Sequence, residues 1–308
     1  MRVSRVLAVL CGLLPGIAQA QSPNASQSIP ENITVTAPGV PPEGALHDFI
    51  KSYTASSQPS GKITRWRMGA CPITAGLSPA GNRLVTDRVR QLAALAGAPL
   101  GDAHCKPNID IAFTLKPQVL LDTVREKNRV LLGYHTNSQE EALATVTHPV
   151  QAWYTTQTVD LNGVAYLDKG QPNAPGYEIQ TPFGPVWLQD VPAVHVTGNH
   201  LNDGLSSELF HVIVVIDLAK VKGHTLGALS DYAAMLSLSR TQSFENCEPV
   251  ASITNLVSAS CDGALKTNEL SANDLAYLHG VYSLNPRNSF QQQKDEIAYA
   301  MKKGAGER

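Results

Sequence analysis

The feature that most constrains the fold is a run of five consecutive apolar residues, Val212 to Ile216, inside the segment from His211 to Leu218. Successive side chains of a β-strand point to opposite faces of its sheet, so a strand of this composition is apolar on both faces. Such a strand is stable only where other elements cover it on both sides. We therefore predict that residues 211–218 form the central strand of a buried sheet.

Other periodic patterns predict the elements that surround this strand. The predicted class is α+β, a mixed sheet with flanking helices. Gly97 is placed to end the first long helix, and Ser271 with Asp274 forms a capping-box signature before the last one. Helices are predicted from near Glu43, over Asn82–Ala96, Gln118–Lys127 and Thr225–Ser239, and after Ser271; strands are predicted over Asn108–Leu115, Val150–Leu161, Val164–Leu167 and Val186–Leu188.

The first 20 residues are typical of a secretory signal peptide. Arg2 and Arg5 precede an apolar run from Val6 to Leu14, and Ala18-Gln19-Ala20 forms a small-x-small cleavage site. We expect a mature chain that begins at Gln21 and resides in the periplasm or outside the cell. No later stretch has the length and apolar character of a membrane span.

Composition divides the rest of the chain into three parts. Residues 21–42 are rich in Pro and Ser and predict a disordered linker, residues 43–290 a single α+β domain, and residues 291–308 a polar tail. The formal net charge is −2, and loss of Arg2 and Arg5 makes it more negative. This balance excludes the basic surface that nucleic-acid binding requires.

Four cysteines remain after removal of the segment that contains Cys11, and an exported chain is exposed to oxidising conditions. Three pairings are possible. We favour the local one, Cys71 with Cys105 and Cys247 with Cys261, because each pair brackets one compact segment. A four-cysteine zinc site is disfavoured, since neither pair has the short C-x-x-C interval of such sites.

Candidate catalytic or metal-binding residues are sparse. His195, His200, Asp203 and His211 lie close in sequence and admit a mixed His/Asp metal site, although their spacing follows no ligand rule and favours ordinary surface histidines. No nucleophile elbow, phosphate-binding loop or dinucleotide fingerprint occurs. The sequence therefore predicts no metal and no cofactor, and leaves the catalytic residues, if there are any, unknown.

Two further motifs have competing interpretations. Arg65-Trp66-Arg67 is compatible with stacking on a base or sugar, but a buried Trp flanked by solvated arginines is the favoured interpretation. Asp217, at the end of the predicted central strand, is either a functional group at the edge of the sheet or a turn residue.

The order of elements from His211 to Tyr282, closing with Leu270-Ser271-Ala272-Asn273-Asp274-Leu275 and Val281-Tyr282, resembles the C-terminal part of a matrixin-like zinc peptidase, a member of the zincins. The resemblance implies that the helix over 225–239 corresponds to the one that carries H-E-x-x-H in those enzymes. Here Asp231 and Met235 occupy the two zinc-binding His positions and Tyr232 occupies the Glu position. Because metal ligands and general base are absent together, the resemblance implies a pseudoenzyme.

The mature chain also resembles uncharacterised secreted proteins of proteobacteria, through Arg65-Trp66, Cys71-Pro72, the segment from Cys105 to Ile109 and the helix that contains Asp231. This resemblance implies periplasmic residence and no known activity. We expect a non-catalytic binding or envelope-associated protein, with an envelope protein or a peptide as partner. The alternative is a hydrolase with an unidentified site, near His195, His200 and Asp203. We also expect Met235 to be packed in the protein.

Overall fold

The computed structural model describes residues 41, 44–133, 139–169, 176–182, 184–189, 194–197, 202–242, 244 and 246–306. The predicted signal peptide and nearly all of the predicted linker lie outside these residues. The strands of the described part are β1 (Thr64–Arg65), β2 (Pro72–Ala75), β3 (Ile109–Thr114), β4 (Val150–Val159), β5 (Ala165–Leu167), β6 (Gly176–Thr181), β7 (Gly184–Gln189) and β8 (Ser206–Asp217). Its α-helices are α1 (Ala45–Tyr53), α2 (Pro79–Ala96), α3 (Pro117–Asn128), α4 (Glu140–Leu143), α5 (Leu226–Leu238), α6 (Ala272–Ser283) and α7 (Phe290–Gly306).

The predicted central strand is confirmed as part of β8, which begins five residues earlier, at Ser206. Five strands of the six-stranded sheet have the order β2-β3-β8-β4-β5, and the sixth, β1, also pairs with β8. β3 runs parallel to the second half of β8 and β1 runs parallel to its first half, while β4 pairs antiparallel along the opposite edge. The sheet is therefore mixed, as predicted. β6 and β7 form a separate antiparallel hairpin, of which only the second strand was predicted.

Both faces of β8 are covered, which explains its unbroken apolar run. Val212, Val214 and Ile216 point into the main core, which α1, α2, α5, α6 and α7 help to form. Ile213 and Val215 point to the other face, into a smaller cluster with one residue from α3, one from β4 and one from each of the segments that follow α3 and α4: Leu121, Trp153, Leu132 and Ala144. Burial of apolar surface on both sides makes this strand the centre of the domain.

Local sequence signals define several helix ends. α2 ends where Gly97 adopts a left-handed φ of 78°, as predicted, but begins three residues earlier than predicted because Ser78 caps it and Pro79 occupies its first turn. Thr225 caps α5 through the backbone N–H of Ala228. The reciprocal capping box of Ser271 and Asp274 begins α6.

The favoured cysteine pairing is confirmed. Cys71 and Cys105 join the start of β2 to the loop before β3, and Cys247 and Cys261 close the irregular segment between α5 and α6. In the chain-entropy model a closed loop of about 15 residues, the size of the second, stabilises by roughly 3 kcal/mol.

The C-terminal segment differs from the predicted polar tail. α7 packs on α6, and its Ile297 and Met301 side chains are fully buried in the main core. Gln293 is buried as well: its Oε1 accepts a hydrogen bond from the N–H of Ile63, and its Nε2 donates to two carbonyls of the preceding turn. The packed part of the chain thus extends beyond residue 290. The few apolar positions of α7 gave too weak a pattern to show this in the sequence.

A second local prediction is also corrected. The predicted strand over Asn108–Leu115 is shorter in the structure: β3 ends at Thr114, and Leu115 is 69% exposed.

Candidate functional site

Asp231, which the sequence resemblance placed at a zinc-ligand position, is held in a structural contact. Asp231 on α5 is buried, and its carboxylate accepts hydrogen bonds from Nε and Nη2 of Arg88 on α2, at 2.6 and 2.8 Å. The same carboxylate accepts the backbone N–H of Leu270, at 2.7 Å. These contacts raise the pKa of Arg88, because the hydrogen bond to Asp231 favours the charged guanidinium. Asp231 thus joins α5 to α2 and to the segment that leads into α6.

The other two residues at the zinc-helix positions are packed in the core. Met235 is fully buried, as predicted, and Tyr232 is only 2% exposed. Burial, the largest effect, raises the pKa of Tyr232 far above its ordinary value, with a smaller contribution from the nearby carboxyl of Glu248. Neither side chain faces solvent, so the three positions Asp231, Tyr232 and Met235 serve packing and helix docking.

The candidate histidine group is divided among separate partners. His195 Nδ1 lies 3.0 Å from Asp160, and Asp203 forms an ion pair with Lys62 at 3.1 Å. His211 Nε2 lies 2.9 Å from Asp110 on β3. His200 lies outside the described residues. Within the ranges that the structure describes, no three His, Cys, Asp or Glu side chains are placed to share a metal ion.

The Arg65-Trp66-Arg67 motif is mostly internal. Trp66 is buried, as the favoured interpretation required, and its Nε1 donates to the carbonyl of Ser237 at 2.8 Å. Arg65 is not solvated, which corrects that interpretation: its Nη1 donates to three carbonyls at the end of α6, those of Val281, Tyr282 and Leu284. A guanidinium at a helix C-terminus satisfies carbonyls that have no partner within the helix. Only Arg67 is exposed, in an ion pair with Glu208.

Asp217 is a turn residue. Its Oδ1 accepts the N–H of Ala219, and its backbone carbonyl accepts those of Lys220 and Val221. This pattern closes the turn between β8 and α5.

A cleft of about 170 Å³ lies beside β4, and no sequence signal pointed to it. It has room for several water molecules or for a ligand of a few heavy atoms. β5 pairs only with Gln157–Val159, so within the described residues the outer edge of β4 next to the cleft has no strand partner. The lining residues come from β4 and from the segments on either side of it: Leu132, Gly133, Ala142, Leu143, Gln151, Ala152, Trp153, Tyr154, Arg240 and Phe244.

Gly133 fits closely against the edge of β4. Its φ of 91° lies in the left-handed region, and a Cβ at this position would come 2.3 Å from the carbonyl oxygen of Tyr154. A side chain at residue 133 would therefore displace the backbone that forms one wall of the cleft. Phe244 forms another wall, with its ring 5.6 Å from that of His148.

Two polar groups of the cleft have few partners among the residues that the structure describes. Arg240 follows α5, and its Nη1 donates to the carbonyl of Ser56 at 2.5 Å, but it forms no ion pair with any described carboxylate. Burial lowers the pKa of Arg240, while Tyr154 and Asp168 raise it by smaller amounts. The Tyr154 hydroxyl is buried and lies near the Thr241 backbone, yet it makes no hydrogen bond of standard geometry with a described residue.

Asp168 is the described acid whose charge acts on Arg240, but its carboxylate has other hydrogen-bond partners. It accepts hydrogen bonds from the hydroxyls of Thr156 and Thr158, at 2.6 and 2.8 Å. Burial raises the pKa of Asp168, and these two hydrogen bonds reduce the increase. Asp168 therefore attracts Arg240 through its charge but does not contact it.

Comparison with known proteins identifies no relative: no family model, curated protein or solved structure matches this chain.

Proposed function

We propose that this protein is a non-catalytic exported binding protein whose core resembles a zincin without its zinc site. The observation that carries the proposal is the Asp231 carboxylate, which accepts three N–H donors from Arg88 and Leu270. A carboxylate in this arrangement has little capacity left for a cation, and neither Met235 nor Tyr232 supplies a ligand or a base near neutral pH. Residues at the positions of the catalytic helix then stabilise the fold.

Two observations support the exported part of the proposal. Both disulfides link cysteines that an oxidising compartment would pair, and both close local segments of the domain. Among the described residues no helix combines the length and apolar character of a membrane span. Periplasmic or secreted residence predicts a mature N-terminus at Gln21, which intact-mass measurement of the exported protein checks.

The cleft beside β4 is the proposed binding site. It combines apolar side chains with two polar groups that have few partners among the described residues, an arrangement that small-ligand sites commonly have. The alternative function, a hydrolase near His195, His200 and Asp203, lacks support from the described residues. His195 pairs with Asp160, and Asp203 pairs with Lys62.

Metal content and peptide cleavage together test the non-catalytic part of the proposal. The exported protein, purified without chelator, is measured for zinc and iron and then incubated with a mixed-sequence peptide pool, with and without added zinc. We expect much less than one equivalent of metal per chain and no new peptide fragments by mass spectrometry. One equivalent of zinc, or cleavage that a chelator abolishes, overturns the proposal.

A further inference from the structure

We infer that the cleft beside β4 binds the carboxylate of a small, mainly apolar ligand, which accepts hydrogen bonds from Arg240 and Tyr154. The inference rests on the proposed binding function and names the ligand class for that site. Its volume of about 170 Å³ limits the occupant to a few heavy atoms.

The charge of the cleft selects an anion. The Arg240 guanidinium is largely buried, and a buried cation without an ion-pair partner is costly because it has lost hydration. Within the described part of the chain no carboxylate compensates it by contact. A bound anion would supply that partner, and a carboxylate matches the planar donor geometry of a guanidinium better than a spherical ion does.

The hydroxyl of Tyr154 provides the second donor. It is the one buried side-chain polar atom in the described residues without a hydrogen bond of standard geometry. An unsatisfied buried hydroxyl costs free energy that a ligand oxygen would recover. Arg240 and Tyr154 line the same cleft and interact with each other by charge, so a carboxylate bound there would lie near both donors.

The walls define the rest of the ligand. Leu132, Leu143 and Phe244 provide the apolar part of the lining, which favours a short apolar chain beside the carboxylate. The chemistry is therefore that of a short-chain monocarboxylate. Two sources share this chemistry: a free acid such as isobutyrate, and an acidic side chain carried on a peptide.

The test compares an acid with its neutral isostere on the full mature protein. Isobutyrate and isobutyramide are titrated by NMR, following backbone amide signals of Gln151 to Tyr154, and a blocked glutamate dipeptide is compared with its glutamine analogue. We expect saturable shifts with isobutyrate and at least roughly tenfold weaker binding of the amide, since a charge-assisted bond is lost. The dipeptide pair distinguishes the two sources. Tighter binding of the glutamate dipeptide than of the glutamine dipeptide indicates a peptide-borne ligand, and equal binding of the two indicates a free acid.

Variants locate the site. R240Q should abolish the preference for acid over amide, R240K should retain part of it, and Y154F should weaken acid binding without affecting the amide. R67Q, which changes an exposed arginine, is the matched control and should leave binding unchanged. If R240Q does not fold, two results still test the inference. They are the comparison of acid with amide on the unaltered protein and the effect of Y154F.

Three results overturn the inference: no saturable shift with isobutyrate, equal binding of acid and amide, or an acid preference that persists in folded R240Q. Each of these leaves the proposed function standing if metal and cleavage assays are negative. Metal binding or peptide cleavage refutes the proposed function whatever isobutyrate does, so the two failures are distinguishable.

Discussion

Arg88 on α2 and Asp231 on α5 form a two-point ion pair across 143 residues of sequence, with N–O distances of 2.6 and 2.8 Å. The Asp231 side chain is 1% exposed and that of Arg88 is 21% exposed, so the pair is shielded from solvent on one side. It lies where the resemblance to zincins would place a metal ligand. In the structure, Asp231 joins α5 to α2.

We predict that breaking this ion pair destabilises the domain strongly. D231A should lower the free energy of unfolding by about 3 to 5 kcal/mol, because it leaves buried donors without an acceptor. R125A is the control: Arg125 pairs with the exposed Glu141, and such surface pairs contribute roughly 1 kcal/mol or less. Urea denaturation of both variants measures the difference, and equal losses would contradict the structural role of Asp231.

Met235 provides an independent test of the same helix. M235A should lower the free energy of unfolding by about 2 to 5 kcal/mol, the range for truncation of a buried large side chain. M68A is the matched control, because Met68 is 68% exposed and its loss should change stability by no more than about 0.5 kcal/mol. A neutral thermal-denaturation result for M235A would show that its side chain is not packed.

Glu248 should make stability depend on pH. Its buried carboxyl accepts a hydrogen bond from Ser52 on α1, and burial raises its pKa to about 7, with a further increase from Asp274. The folded state therefore prefers the protonated form. The resulting contribution to the free energy of unfolding is fully present below about pH 4.5. It is lost as the pH rises through 7, and the loss is on the order of 3 kcal/mol.

The variant E248Q isolates this contribution, because glutamine is neutral at every pH. We expect E248Q and the unaltered protein to have similar unfolding free energies at pH 4.5, and E248Q to be the more stable at pH 8. Buried acids that do not act on Glu248, such as Asp168, titrate in both proteins and cancel in the comparison. A stability difference that is constant between pH 4.5 and pH 8 would contradict the buried, protonated carboxyl.

The C-terminal helix should be essential for stability. I297A should lower the free energy of unfolding by about 2 to 5 kcal/mol, because Ile297 is fully buried between α7 and the core. Tyr299, on the same helix, is 72% exposed, so Y299A should have little effect. Chemical denaturation that shows equally small losses for both variants would support the polar tail that the sequence predicted.

The elements that could be predicted from the sequence are those whose signal is local. The apolar run of β8 identified the central strand, the capping box marked the start of α6, and the bracketing of short segments favoured the correct disulfides. Periodicity and capping depend on neighbours within a few residues, so a single sequence displays them.

The contacts that escaped prediction join distant residues. Arg65 was interpreted as solvated because its carbonyl partners lie more than 200 residues away on α6. Between Tyr154 and Arg240 the chain forms β5 to β8 and α5, and only the folded sheet places both residues beside one cleft. α7 was missed for a related reason: its buried residues are recognisable only once α6 is present to pack against them.

Zinc-dependent thermal stability tests the central claim most directly. A native zinc site with a Kd of roughly 1 µM would add about 2.7 kcal/mol at 100 µM zinc and would raise the Tm measurably. We predict the same Tm for the unaltered protein with and without zinc, and no change of Tm with zinc in D231N. A rise in Tm with zinc that D231N abolishes would show that Asp231 is a metal ligand, and would contradict the structural role assigned to this helix.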